Sequence, residues 1–245
     1  MRQRGNIAVL GLPTAIGLWF FYDFALRYLT SEPHQFGIYQ PRHQWLYVHI
    51  LAGMVALLLG PAQLWLGMNK RTAILHRILG VLYVVAVGAG GTAAFYLAVH
   101  NDFGWVFGVG FFSMTMVWIV TTALATIAIL MHRVEQHREW MIRSYVVTFG
   151  FVTFRVTESV LDLANVGTMV EQLTAASWLA WTVPLFITES IIQGRKIFKK
   201  PVPVPMLRET RTYTLQPEAG DLTLQNTDPR VAPQTFTARS GRYHS

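Results

Sequence analysis

The sequence predicts an all-α membrane protein, a bundle of about six transmembrane helices with both termini in the cytoplasm. Three observations lead to this fold class. Hydrophobic residues make up 52% of the 245 residues and charged residues only 13%, whereas a soluble domain carries about 25% charged residues. The apolar residues fall in runs long enough to cross a bilayer, and basic residues cluster in alternate connections between the runs.

A transmembrane helix needs roughly 20 mostly apolar residues. Six runs meet this condition and define a predicted membrane domain over residues 1–200: 7–29, 45–67, 75–99, 103–131, 140–163 and 173–193. The first run follows Arg2 and Arg4, as the apolar part of a signal peptide follows its basic N-terminus. It is too long for one, however, and bulky aromatic residues stand where a cleavage site needs small ones, so we expect a retained helix. The fifth run is the most polar of the six.

Basic residues in the connections give the orientation, because cytoplasmic connections carry an excess of Lys and Arg. The N-terminus, the second and fourth connections and the segment after the sixth run hold Arg2, Arg4, Lys70, Arg71, Arg77, Arg133, Arg138, Arg195, Lys196, Lys199 and Lys200. The other three connections hold only Arg42. This alternation predicts that both termini are cytoplasmic and independently supports six crossings.

Residues 201–245 form the second predicted domain, a polar, extended or disordered cytoplasmic tail. Pro201, Pro203 and Pro205 favour an extended start. The remainder has no helical period and too few apolar residues to order itself alone. We therefore expect other membrane protein subunits to hold the tail.

Several function classes are excluded by the absence of their motifs. The chain has no cysteine, which excludes disulfides, thiolate metal sites, iron–sulfur clusters and covalently attached haem. It also lacks phosphate-binding loops, zinc-protease motifs and nucleophile elbows. The net charge of +7 is explained by the cytoplasmic connections, so no nucleic-acid partner is expected.

Two histidines near the cytoplasmic side are candidate ligands of a b-type haem iron. His76 begins the third predicted helix and His137 begins the fifth; these helices run in the same direction, so the two side chains should lie at similar depth. Imidazoles that face each other across a bundle can hold haem iron from both sides. Arg77, Arg138 and Arg143 are candidates for binding its propionates. The alternatives are interfacial histidines bonded to loops and lipid phosphates, a different metal, or a quinone head group.

Nearer the outer side, His49 and Arg155 could shape a second cavity, for example for a quinone. Arg155 lies roughly 18 Å beyond Arg143 at 1.5 Å per residue, deep in the membrane. Ionisable residues at that depth often mark functional sites. For His49 the alternative is a hydrogen bond to a neighbouring helix. For Arg155 the alternatives are a structural ion pair, with Glu158 one turn further along the helix as the partner, a proton path, or a binding site for an anionic head group.

The order of these residues resembles a family of bacterial polytopic membrane proteins, domain of unknown function 2306, over roughly residues 44–160. The matching positions are His49, Gly53, Gly60, Pro61, Gln63, Leu75, His76, Arg77, Gly80, Tyr83, His137, Arg138, Trp140, Met141, Ile142, Arg143, Ser144, Tyr145, Thr153 and Arg155. This resemblance implies a multi-pass protein of a bacterial inner (cytoplasmic) membrane. The layout is also loosely similar to b-type membrane cytochromes. Those proteins usually carry two histidine pairs, whereas this chain has one inner pair and a lone His49, which implies one haem at most.

Two functions follow as expectations. The first is a redox protein for electron transfer that holds haem b through His76 and His137. The second is a non-catalytic accessory subunit of a larger, energy-transducing membrane complex, with the tail docked on partner chains.

Overall fold

A computed structural model describes residues 37–67 and 72–198, three strands between residues 213 and 238, and the single positions Ala15, Trp19 and Tyr22. The chain divides into two units, Met1–Ile197 and Phe198–Ser245. Apart from the three single positions, the first predicted run, residues 7–29, lies outside the described residues.

The described part of the first unit is helical throughout. A short 3₁₀ helix, Gly37–Arg42, leads into six α-helices: α1 His43–Leu66, α2 Ala73–Val99, α3 Trp105–Leu130, α4 Val134–Thr148, α5 Gly150–Leu163 and α6 Met169–Ile197. Four of them (α1, α2, α3 and α6) are long and apolar enough to cross a membrane. They correspond to the second, third, fourth and sixth predicted runs and confirm those assignments to within a few residues.

The fifth predicted run is a pair of helices, because α4 and α5 are separated only by Phe149. The backbone there stays near helical dihedrals, and the amide N–H groups of Val152 and Thr153 both donate to the Phe149 carbonyl. The pair begins at Val134, earlier than the predicted residue 140. Together α4 and α5 form the fifth membrane-length segment, so the described residues hold five such segments rather than the six predicted.

The five membrane-length segments are joined by short connections, which make antiparallel neighbours of consecutive segments. Helix α3 contacts α2, α4 and α6, while α1 contacts α2 and α4. Helix α2 contains a run of small residues, 88–94, that serves this packing. A Cβ on Gly90 would lie 3.1 Å from Ala52 on α1, and one on Gly91 would lie 2.9 Å from Ile119 on α3. Small side chains here let the helix backbones approach closely.

Most of the apolar surface of the four long helices faces outwards, since at most 33% of the residues in any of their apolar windows are buried. In water this pattern would expose far more apolar area than a soluble protein tolerates. Bilayer lipid is therefore the environment of these faces. The buried core is small and includes Ala56, Tyr83, Val87, Trp118 and Val147.

We define the proximal end of the bundle as the one that holds His76 and His137, and the distal end as the one that holds Val99 and Trp105. An exposed ion pair joins Arg42 to Asp102 at the distal end, with 2.7 Å between Nη1 and Oδ2. The hydrogen bond from Arg42, helped by its charge, keeps the pKa of Asp102 below the usual range. The pair ties the start of α1 to the α2–α3 connection.

The second unit contains an antiparallel three-stranded sheet in the order β1–β2–β3, which the sequence analysis did not predict. The strands are β1 Tyr213–Glu218, β2 Asp221–Asn226 and β3 Thr235–Ala238. Tyr213 pairs with Asn226, and Leu224 pairs with Phe236. This part of the expected extended or disordered tail is therefore extended and hydrogen-bonded.

Candidate functional site

The structure brings His76 and His137 together at the proximal end. Each residue lies in the first turns of its helix, α2 or α4, and the ring centres are 6.4 Å apart with the ring planes at 89°. Nδ1 of His137 donates a hydrogen bond to the Ala125 carbonyl at 2.8 Å, because a carbonyl can only accept. In the neutral ring, Nε2 of His137 is then the atom with a free lone pair.

The surroundings of His76 leave one of its ring nitrogens unsatisfied. Its Nδ1 is buried and finds no hydrogen-bond partner among the described residues. A buried polar atom without a partner costs free energy, so this position is a candidate for a bound group. Gly67 borders the ring, since a Cβ there would lie 3.2 Å from Cε1 of His76. A Cβ on Gly80, one turn after His76, would meet only the Gln63 side chain, at 3.8 Å.

The three arginines proposed for propionate binding differ in their surroundings. Arg77 and Arg138 each follow a histidine directly in sequence and are exposed. Arg143 is buried, with 8% exposure, and its Nε and Nη2 both lie 2.7 Å from Oε2 of Glu189. Its guanidinium also lies over the Trp140 ring. Arg143 therefore ties α4 to α6, and its expected role in propionate binding stays a prediction.

The kind of group that the histidine pair can hold is limited by the number of ligands. No cluster of three or more His, Asp or Glu side chains suited to a metal ion occurs within the described ranges. A bare metal ion usually needs three or four protein ligands. Haem iron needs only axial ligands from the protein because the macrocycle supplies the others. Two imidazoles are the number of axial ligands that a haem iron would take from the protein.

The distal half of the bundle contains a cavity of about 310 Å³ with mainly apolar walls. Its aromatic side chains are Phe103, Phe107, Phe111, Trp118, Phe151 and Phe154. The first three recur every four residues, a spacing in the sequence that already places them on one side of a helix. Sequence reasoning missed them as site residues, since the same spacing is typical of ordinary packing.

His49 and Arg155, expected to shape one outer cavity, both line it. Nδ1 of His49 donates to the Gly90 carbonyl at 3.1 Å, and its ring centre lies 4.8 Å from that of Phe151. Nη1 of Arg155 donates to Oε2 of Glu158 at 2.8 Å. The expected pairing of Arg155 with Glu158 thus occurs in the structure.

A second, more polar cavity of about 640 Å³ adjoins the apolar one, and the two share Arg155, Glu158 and Met169. Its other lining residues are Ser159, Asp162, Asn165, Gly167 and Gln172. These belong to the end of α5, the α5–α6 connection and the start of α6. The apolar cavity therefore leads, past the Arg155–Glu158 ion pair, to polar groups at the distal end.

A buried hydroxyl network joins α2, α3 and α4 at the centre of the bundle. The Tyr83 hydroxyl lies 2.8 Å from Oγ of Ser144 and 2.9 Å from Oγ1 of Thr148. Trp118 donates its Nε1–H to Thr148 at 2.8 Å, and Thr122 lies 2.7 Å from Ser144. Sequence reasoning missed this network because each hydroxyl could equally have bonded within its own helix.

Comparison with known families bears on these positions. Residues 46–192 match the family described as Predicted membrane protein (DUF2306). The chain belongs to this family. The match runs from the first turns of α1 into α6, so the DUF2306 region contains both histidines of the proximal pair as well as His49 and Arg155. No curated protein matches the chain, and no solved structure matches it.

Proposed function

We propose that this integral membrane protein is a redox protein that holds one b-type haem between His76 and His137. The observation that carries the proposal is the separation of the two rings. A metal–imidazole bond is about 2.0–2.1 Å, and the bonding nitrogen lies about 1.1 Å from the ring centre, so two axial rings on one metal are about 6.2–6.4 Å apart. The observed separation is 6.4 Å.

The surroundings of His137 and the neighbouring arginines support the same assignment. A metal-bound histidine usually donates its other N–H to a carbonyl, which fixes the ring and raises its basicity. The Ala125 carbonyl does this for His137. Arg77 and Arg138, exposed beside the two histidines, are the cations best placed in sequence to bind propionates. A haem held in this way would supply one-electron transfer.

We propose the remaining features of the topology on the basis of charge. The predicted run 7–29, which lies outside the described residues apart from three single positions, would add a sixth crossing to the five described segments. Six crossings, with the proximal end and both termini in the cytoplasm of a bacterium, agree with the excess of basic residues in the connections. Two single-cysteine variants would test this orientation, one with the cysteine in the α2–α3 connection and one with it in the α3–α4 connection. Each would be treated in intact cells with a membrane-impermeant thiol reagent. Labelling of the α3–α4 cysteine in intact cells would contradict it.

The haem proposal is tested by a reduced-minus-oxidised optical spectrum of protein expressed with added haem precursor and purified in mild detergent. We expect a sharp b-type signal that is lost in His76→Ala and in His137→Ala. His100→Ala is the matched control, because His100 is exposed at the distal end and its Nδ1 bonds only to its own helix, at the Tyr96 carbonyl. Folded wild-type protein without a haem signal would refute the proposal, as would an equal loss in all three variants.

The alternative function, a non-catalytic accessory subunit of a membrane complex, is favoured by the sheet of the second unit. Strands of six, six and four residues form a small sheet. A sheet of three strands is stable only if it has a hydrophobic face to bury or packs against other structure. The outer strands β1 and β3 each pair on one side only within the described residues, so their free edges could accept a strand from a partner. If the protein is an accessory subunit, deletion of residues 201–245 should release a partner subunit that otherwise co-purifies with it. If it is a haem protein that acts alone, the truncated protein should keep the haem spectrum of the full chain.

A further inference from the structure

We propose that the distal cavity binds the ring of a neutral isoprenoid quinol, with the isoprenoid tail leading out between the helices into lipid. The proposal concerns binding only and does not depend on haem. It rests on the shape and lining of the cavity, on the hydrogen-bonding state of His49 and on the neutralised charge of Arg155.

The size and walls of the cavity suit a substituted aromatic ring. Ligand pockets for small molecules usually measure about 300–1,000 Å³ and have mainly apolar walls with a few polar groups. At about 310 Å³ the distal cavity is near the lower limit, so it can hold a ring with a short part of its tail. The walls carry Phe107, Phe111, Trp118 and Phe151, whose faces and edges can stack on such a ring.

His49 supplies a hydrogen-bond acceptor at the cavity wall. Its Nδ1 carries the proton because it donates to the Gly90 carbonyl, which leaves Nε2 of the neutral ring as an acceptor. A hydroxyl group of a quinol can donate to Nε2. The carbonyl oxygen of an oxidised quinone cannot donate, so the cavity should favour the quinol over the quinone.

The charge at the polar end favours a neutral ligand over an anionic amphiphile such as a fatty acid. Arg155 is the basic side chain among the lining residues of the cavity, and Glu158 binds it at 2.8 Å. A carboxylate ligand would have to displace Glu158 or approach it, and either costs electrostatic free energy. A quinol needs only hydroxyl contacts and leaves this ion pair intact.

The first test changes the ligand rather than the protein. Isothermal titration calorimetry of the protein in lipid nanodiscs, under anaerobic conditions, would compare ubiquinol-1 with its 1,4-dimethyl ether, which has no hydroxyl proton. We expect the ether to bind about tenfold more weakly, the worth of one buried hydrogen bond. In His49→Leu the ratio of the two dissociation constants, ether over quinol, should fall to near one. This result would separate the effect of the hydrogen bond from any steric effect of the methyl groups. An equal ratio in both proteins would overturn the role of His49.

The second test fills the cavity. Ala94→Phe places a phenyl ring in the cavity that Ala94 lines, and should weaken ubiquinol-1 binding at least tenfold. Ala89→Phe makes the same change on the exposed side of the same helix and should leave binding unchanged. Equal effects of the two variants, or laurate binding as tightly as ubiquinol-1, would overturn the proposal. His76→Ala protein should bind ubiquinol-1 like the wild type, so a failure of the haem proposal can be distinguished from a failure of this one.

Discussion

Removal of a single hydroxyl group from the centre of the bundle tests whether the buried network stabilises the fold. Tyr83 has 0% exposure, and its hydroxyl group bonds to Ser144 and Thr148. Tyr83→Phe keeps the ring and its packing but removes both hydrogen bonds. Buried hydrogen bonds in membrane proteins contribute about 0.6 kcal/mol on average and at most about 1.7. For two bonds we expect a loss of about 1–3 kcal/mol in the free energy of unfolding.

The measurement is unfolding of the detergent-solubilised protein by titration with sodium dodecyl sulfate, followed by tryptophan fluorescence. Trp118 is a suitable reporter because its indole N–H donates to Thr148 within the same network. Thermal unfolding would give a second measurement of stability. In a chain of this size the unfolding midpoint falls by about 2–4 °C for each kcal/mol of stability lost.

Tyr145→Phe is the matched control. Tyr145 is also buried, with 8% exposure, but its hydroxyl group lies 3.4 Å from the Leu57 carbonyl oxygen, beyond the usual distance for this kind of bond. We expect a loss below about 0.5 kcal/mol. Equal losses in the two variants, or a larger loss in Tyr145→Phe, would show that the network of Tyr83 is not a stabilising element.

Two further predictions concern packing and charge. Gly60→Ala should destabilise the bundle by about 1–3 kcal/mol, because the added Cβ would overlap the Tyr145 ring. Gly88→Ala is the control and should be nearly neutral, because a Cβ on Gly88 would meet open space. Equal thermal unfolding midpoints for the two variants would contradict this prediction. Arg143→Gln should cost about 1–3 kcal/mol, because the partly exposed Glu189 loses its arginine partner and keeps, among the described residues, only the hydrogen bond from Gln193. Arg143→Gln combined with Glu189→Gln should recover part of that loss in the same unfolding titration. A double variant less stable than either single one would refute the pairing.

Four of the six predicted membrane segments could be located from the sequence because hydropathy is a local property. A bilayer requires about 20 apolar residues in a row whatever surrounds them, and α1, α2, α3 and α6 show that run in the sequence. The α4–α5 pair was harder to delimit, since charged residues such as Arg143 and Glu158 interrupt it. Their partners, Glu189 on another helix and Arg155 on the same one, explain why the segment tolerates them.

The sequence by itself also determined which residues are chemically unusual, because a histidine or arginine in an apolar run is visible without a structure. It could not determine which of them meet. His76 and His137 are brought to 6.4 Å by the packing of α2 and α4, while Arg143, of the same type as Arg77 and Arg138, points to Glu189. These outcomes depend on the rotation of each helix about its axis, which side-chain packing across the whole bundle decides. The cavity beside His49 likewise exists only where several helices fail to fill the space between them.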